Sequence, residues 1–245
     1  MNLLKKLIIY SSSLVRNKTI TKMKIENMTP IIPSTEEFAY ERAANYLSNG
    51  QVIAVPTDTI YGLACSANCP EAIKNLYNIK GRDSIKPVAI CVTYIKDVRK
   101  WGQAEHLSDE LLCKLLPGPV TVILEKSELL NNPYLNPATT KIGIRIPKNA
   151  FINNVTRIFD MPLALTSANF SNEPSTLSVK EFEHLYPHLG AVFDGGLLSK
   201  GLEQNRTGST VVDLSKIGFY DVIRRGILVE EIVSIVESYG LKHIP

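Results

Sequence analysis

The chain's 245 residues, 44% hydrophobic and 21% charged, suffice for one sizeable core and have the make-up of an ordinary globular protein. The net charge of +3 originates in the first 25 residues, where Lys5, Lys6, Arg16, Lys18, Lys22 and Lys24 meet no acid; the rest sets 21 of the 27 basic side chains against 24 acidic ones. A globally basic nucleic-acid binder is thereby excluded. Residues 1–30 read as a basic, serine-containing leader with the composition of a mitochondrial presequence. Its apolar pieces, LL and LIIY, are too short to span a bilayer, so no transmembrane segment is expected. Met23 and Met28 offer later starts, and both a mitochondrial and a cytoplasmic location are expected.

Residues 34–240 read as one domain. PSTEEFAYERAANYLSNG predicts a helix opened by a capping box of Ser34 and Glu37, with Phe38, Ala43, Tyr46 and Leu47 as its apolar stripe and Gly50 as its stop. QVIAVPT follows as a short buried strand. PEAIKNLYNIK is a helix opened by Pro70, with Ile73, Leu76, Tyr77 and Lys80 on one face, and it runs through GRDSIKP into a strand at VAICVTYI. The alternation continues with helix SDELLCKLL, strands VTVIL and KIGIRIP, helix NAFINNVTRIF, strand PLALTS, helix SVKEFEHLY and strand AVFD. Strands STVVDL and FYDVIRR and the amphipathic helix LVEEIVSIVESYG finish the chain. Strands alternating with helices indicate an α/β domain with a mixed sheet.

Polar residues gather at the ends of these strands, where α/β proteins place their sites. Thr57, Asp58 and Thr59 follow QVIAVP, a position that fits either a local turn or a hold on a ligand's amine or hydroxyl. KGRDSIKP puts Lys80, Arg82 and Lys86 within eight residues. Cations in a last helical turn offset its dipole and Gly81 is a natural helix stop, yet Arg82 and Lys86 fall beyond the helix, where fixed cations capture anions. LTSANFSNEPS offers Thr166, Ser167, Asn169, Ser171 and Ser175 as either turn chemistry or a neutral anion cradle. Arg145 sits in a mostly apolar strand, and Arg224 and Arg225 end another.

No phosphate-loop or dinucleotide fingerprint is present, and no Ser-His-Asp or Cys-His nucleophile can be assembled. Cys65, Cys69, Cys91 and Cys113 contain no Cys-x-x-Cys pair, and His106, His184, His188 and His243 are scattered, so no protein-held metal is expected and the thiols read as buried and reduced. The residues alone lead to an anion-binding cavity rich in cations and hydroxyls. They do not name its ligand.

VPTDTIYGLACSA, IKGRDSIKPVAICV, LLPGPVT, KIGIRIP, PLALTSANFS, GSTVVDL and VIRRG, in this order, resemble the YrdC/Sua5 family of threonylcarbamoyl-AMP synthases over residues 34–240. GRDSIKPVAIC and PLALTSANFS are most similar to the wording of its single-domain animal members. The resemblance implies a twisted mixed sheet flanked by helices around a large, positively charged cavity. It implies synthesis of L-threonylcarbamoyladenylate and pyrophosphate from L-threonine, bicarbonate and ATP, with Mg²⁺ arriving on ATP. A tRNA threonylcarbamoyl transferase complex, of KEOPS type or its mitochondrial counterpart, then modifies adenosine 37 of tRNAs reading ANN codons. Carried over residue by residue, Thr57, Arg145 and Ser209 contact threonine, while Lys80, Arg82, Ser84, Lys141, Ser167, Asn169, Ser175 and Arg224 contact the nucleotide. Lys80 and Arg82 are the catalytic pair. Asn172 stands where many relatives have glycine, and Arg225 replaces the proline of a common Arg-Pro-Gly. Two other readings remain: an RNA-binding or ribosome-assembly module, with weak RNA binding at the cavity rim, and a related carbamoyltransferase.

Overall fold

The computed structural model describes residues 28–81, 86–198 and 206–244. Most of the basic leader, and with it Arg82 and Ser84, lies outside the described residues. The described strands are β1 (Ile31–Pro33), β2 (Ile53–Val55), β3 (Gly62–Ser66), β4 (Ala89–Cys91), β5 (Val120–Glu125), β6 (Lys141–Arg145), β7 (Leu163–Ser167), β8 (Ala191–Asp194), β9 (Thr210–Asp213), β10 (Phe219–Arg224) and β11 (Lys242–His243). Between them lie helices α1 (Ala39–Ser48), α2 (Pro70–Lys80), α3 (Ile95–Trp101), α4 (Asp109–Leu115), α5 (Ala150–Phe159) and α6 (Val229–Ser238), and a 3-10 segment at Val179–His188.

The strands form one mixed sheet in the order β1-β8-β2-β3-β7-β4-β6-β5-β9-β10-β11. Parallel pairs such as β4–β6 and β5–β9 alternate with antiparallel ones such as β3–β7 and β5–β6. The expected α/β class with a mixed sheet is what forms. Side chains along a strand face alternate sides, and this decides what each face meets. Ile90, Val120, Val122, Ile142, Ile144, Ala164 and Val212 join Ile73, Leu76, Val98, Leu111, Leu112, Ile232 and Val236 in one core, which seats α2, α3, α4 and α6 on one face. Their neighbours Ile53, Val55, Ala64, Cys91, Leu163 and Leu165 join Ala39, Ala43, Leu47, Phe151, Ile152 and Val155, which seats α1 and α5 on the other. That cover reaches from β8 to β7 and β4. Beside it, residues of β3, β7, β4, β6, β5, β9 and β10 line a cavity.

Three helix starts follow their sequence signals: Pro70 opens α2, the Ser108 hydroxyl accepts from Leu111 N–H at 3.2 Å, and the Asn149 amide oxygen accepts from Phe151 N–H at 3.0 Å. The Ser34–Glu37 capping box does not form. Ser34 N–H donates instead to Asp194 O at 2.7 Å, continuing the β1–β8 ladder, and α1 begins only at Ala39, after Phe38 turns left-handed at φ 61°. VAICVTYI is strand only to Cys91. At Tyr94 the backbone N–H meets the Asp97 carboxylate at 2.9 Å and α3 begins. SVKEFEHLY is kinked 3-10 rather than one helix: Phe182 leaves helical geometry while its fully buried ring packs at 5.5 Å from Tyr61.

Candidate functional site

The cavity encloses about 450 Å³, within the range of small-molecule sites. Its floor is made of small residues. Gly62, Ala89 and Gly143 line it, and a Cβ on Gly143 would come within 2.9 Å of the Thr121 methyl and 3.4 Å of Ala89 Cβ. Its walls bring together seven of the residues singled out from the sequence: Thr57, Arg145, Thr166, Ser167, Ser175, Ser209 and Arg224.

Thr57 closes a local turn and also lines the cavity. Its hydroxyl accepts from Thr59 N–H at 3.1 Å and donates to Ile60 O at 2.7 Å, closing the turn after β2, and the same residue faces the cavity. Arg145, at the end of β6, is 6% exposed. Its Nη2 donates to Asp58 Oδ1, completing an ion pair, and to the Thr59 hydroxyl at 2.9 Å, while its Nε is buried with no partner. An unmet buried donor costs about 1–3 kcal/mol, and such a group in a cavity wall is poised for an anion.

Ser209 and Arg224 come from the other end of the sheet. Arg224 Nε and Nη2 donate to Ser209 O at 3.1 and 2.8 Å, and Nη2 also reaches the Ser209 hydroxyl at 3.1 Å. A register shift between Val222 and Arg224 turns two consecutive side chains, Ile223 and Arg224, into the cavity. The backbone beside Ser209 is pressed by Gly226, where any Cβ would sit 2.4 Å from the Ser209 carbonyl carbon. Thr121, which sequence reasoning missed, lines the cavity with its hydroxyl 2.9 Å from that of Ser209. Its signal is the alternation of β5: Val120 and Val122 point to the core, so Thr121 points the other way.

Lys80 and Asn169 stand next door. With Lys86, Ser167, Ser171 and Asn172 they line a smaller space of about 180 Å³, joined to the main cavity through Ser167. Lys80 is 2% exposed, and its ammonium donates to Ser167 O at 2.6 Å, to Asn169 O and to the Ser167 hydroxyl at 3.3 Å. The amide of Asn169 closes its own loop on Phe170 O and Glu173 O, at 2.6 and 2.9 Å. Lys86 donates to Asn172 Oδ1 at 3.1 Å, and Asn172 sits at φ 71°, the left-handed region that glycine favours and asparagine tolerates. Lys141 is not in the cavity wall: it pairs with Asp213 at 2.8 Å on the same face of the sheet. Burial raises the Asp213 carboxyl, but the bonds from Lys141 and Ser215 outweigh it and hold the pKa below its ordinary value.

Among the described residues the cavity wall contains two guanidinium groups, several hydroxyls and no carboxylate, histidine or cysteine. Tyr61 also faces it, and burial pushes its phenol above the ordinary value, so it stays neutral and ties down Gly195 and Gly196. Guanidinium groups and hydroxyls in this arrangement are suited to orienting anions and stabilising their charge.

The Sua5/YciO/YrdC family model, described as telomere recombination, matches residues 45–226. Threonylcarbamoyl-AMP synthase from Bos taurus is 48% identical over 204 residues, covering 83% of this chain and 73% of its own. The Homo sapiens protein of the same name is 46% identical over 205 residues, with the same two shares. The crystal structure of P. abyssi Sua5 complexed with L-threonine superposes with a TM-score of 0.76 at 26% identity, over 89% of this chain and 63% of the archaeal one. This chain thus spans less than two thirds of that structure's length. Fold, ordered motifs and relatives converge: the chain belongs to the Sua5/YrdC family.

Proposed function

We propose that the chain is an L-threonylcarbamoyladenylate synthase, converting L-threonine, bicarbonate and ATP to threonylcarbamoyl-AMP, pyrophosphate and water. The observation that carries this reading is the single cavity, in which Thr57, Arg145 and Ser209 face Ser167, Ser175 and Arg224 across a floor of glycine and alanine. The names of the mammalian relatives support it.

In this reading the amine of threonine, in its neutral form, adds to the carbon of bicarbonate; a C–O bond breaks, the departing oxygen takes up the amine proton and leaves as water, and N-carboxythreonine remains. That carboxylate attacks the α-phosphorus of ATP and pyrophosphate leaves. Arg145 holds the threonine carboxylate, with Thr57 and Ser209 beside it. Ser167, Ser175 and Arg224 line the nucleotide side, with Lys80 and Asn169 behind Ser167. Arg82, Ser84 and Lys141 complete the proposed nucleotide contacts. The chain's part is orientation and charge stabilisation, and neither step needs an enzyme nucleophile.

Among the described residues no group of three His, Cys, Asp or Glu could hold a metal. The cavity's donors therefore suit a Mg²⁺ that enters on the ATP phosphates as part of the substrate. The product would pass to a tRNA threonylcarbamoyl transferase complex, and the basic leader supports a mitochondrial form beside a cytoplasmic one.

The test is to incubate the full chain with MgATP, bicarbonate and threonine and to detect threonylcarbamoyladenylate and pyrophosphate. Product that requires all three reactants is expected. ATP turnover independent of threonine, or carbamoyl transfer from carbamoyl phosphate, overturns the reading, as does salt-sensitive tRNA binding with no turnover.

A further inference from the structure

Asp58 stands behind the cavity wall, paired with the Arg145 that lines it, and the function proposed above gives it no part. It follows Thr57 in the loop after β2, whereas its partner Arg145 ends β6, and β3, β7 and β4 lie between those two strands in the sheet. The pair therefore links the loop after β2 to a strand that lies beyond three others in the sheet. Both oxygens of the carboxylate are committed to the far side: Oδ1 accepts from Arg145 Nη2, and Oδ2 accepts from Lys148 N–H at 3.0 Å. Thr59 meets the same Nη2 at 2.9 Å. Both of these contacts to the guanidinium sit on one nitrogen, Nη2. Nε is buried and unmet.

We propose that Asp58 is a positioning residue that fixes Arg145 by its Nη2 corner, so that the remaining donors face the α-carboxylate of the amino-acid substrate. This rests on the synthase reading above. Asp58 itself does not meet the substrate, because it does not line the cavity and its two oxygens face Arg145 and Lys148. Its role is to hold a long, flexible side chain in one orientation before the carboxylate arrives, so that less freedom is lost on binding. A guanidinium released from Asp58 would remain charged but would no longer be aimed.

The prediction is selective. Asp58→Asn keeps the shape and removes the charge that fixes Nη2. We expect its KM for threonine to rise about tenfold or more, while its KM for ATP changes by less than about threefold. The preference for threonine over threoninamide, which lacks the carboxylate charge, should fall by about the same tenfold, because that preference depends on the alignment of Arg145. Asp58→Glu, which retains the charge, should recover part of the preference. Thr59→Val removes the 2.9 Å contact to Arg145 together with the 3.2 Å contact between the Thr57 and Thr59 hydroxyls; it should lower the preference in the same direction by less, and it decides the matter if Asp58→Asn proves too unstable to assay.

Unaltered preference for threonine over threoninamide in the folded variants would overturn the proposal, as would equal losses in the KM for ATP and for threonine. Wild-type protein that makes no adenylate would instead remove the functional reading beneath it, so the two failures are distinguishable.

Discussion

Lys80 ends α2 directly before Gly81, which turns left-handed at φ 53°, so the local signals of a helix stop are all present. Its ammonium nevertheless reaches away from its own helix, to the carbonyls of Ser167 and Asn169 after β7. Lys80 is 2% exposed, so removing its ammonium takes a buried donor away from those carbonyls. Lys80→Met keeps the volume and removes the charge. We expect it to lower stability by about 1–3 kcal/mol, through the acceptors left unmet, and to lower turnover by more than about tenfold if the charge also serves the phosphates. Thermal melting and steady-state kinetics on the same preparation separate the two effects. A destabilised variant with normal turnover would assign Lys80 to the scaffold alone.

At the scale of elements, the alternation of β5, β6 and β9 sorts chemistry from core. Ile142 and Ile144 of β6 lie in the core, which leaves Lys141, Gly143 and Arg145 together on the cavity face. The Lys141–Asp213 pair ties β6 to β9 on that face, across the intervening β5. The Asp213 pKa is lower folded than unfolded, so the pair's contribution is present above the ordinary carboxylate range and is lost as pH falls through the folded value. The Tm gap between wild type and Asp213→Asn should therefore be largest near neutral pH and should shrink as pH drops from about 5 to about 3. A gap that stays constant with pH would rule out the charge as its source.

The same elements show why some of the fold was legible and some was not. α2, α4 and α5 carry their starts in local chemistry, at Pro70, Ser108 and Asn149, which needs no tertiary partner. β3 buries all five residues of GLACS, so it has no alternation to read, and β1 is only three residues long. Ser34 was a sound cap by its neighbours alone, but the sheet claimed its N–H. At the site, the residue types pointed to an anion and the ordered motifs pointed to its identity. Thr121 and the Asp58–Arg145 pair belong to contacts between distant strands, which no spacing records.

On the scale of the molecule, the cavity is assembled from the loop after β2, from β5, β6 and β7, and from β9 and β10. A ligand held there stabilises contacts across nearly the whole described sheet. With MgATP and threonine each at about 100 times Kd, each bound ligand should add about 2.7 kcal/mol, which corresponds to a Tm rise of several degrees in a differential scan. The rise should be cooperative, with one transition moving as a unit. An early transition that ignores both ligands would show that the walls unfold separately.

Ser209 and Arg224, which the register shift in β10 turns inward, form the wall contributed latest in the sequence. The 79 residues from Arg145 to Arg224 take about 4–16 s to synthesise at ordinary rates. β7, which lies between β3 and β4 in the sheet, is made in that interval, and β9 and β10 follow it. Neither side of the pocket is therefore framed when Arg145 emerges, and the cavity as a whole needs the chain through Arg224.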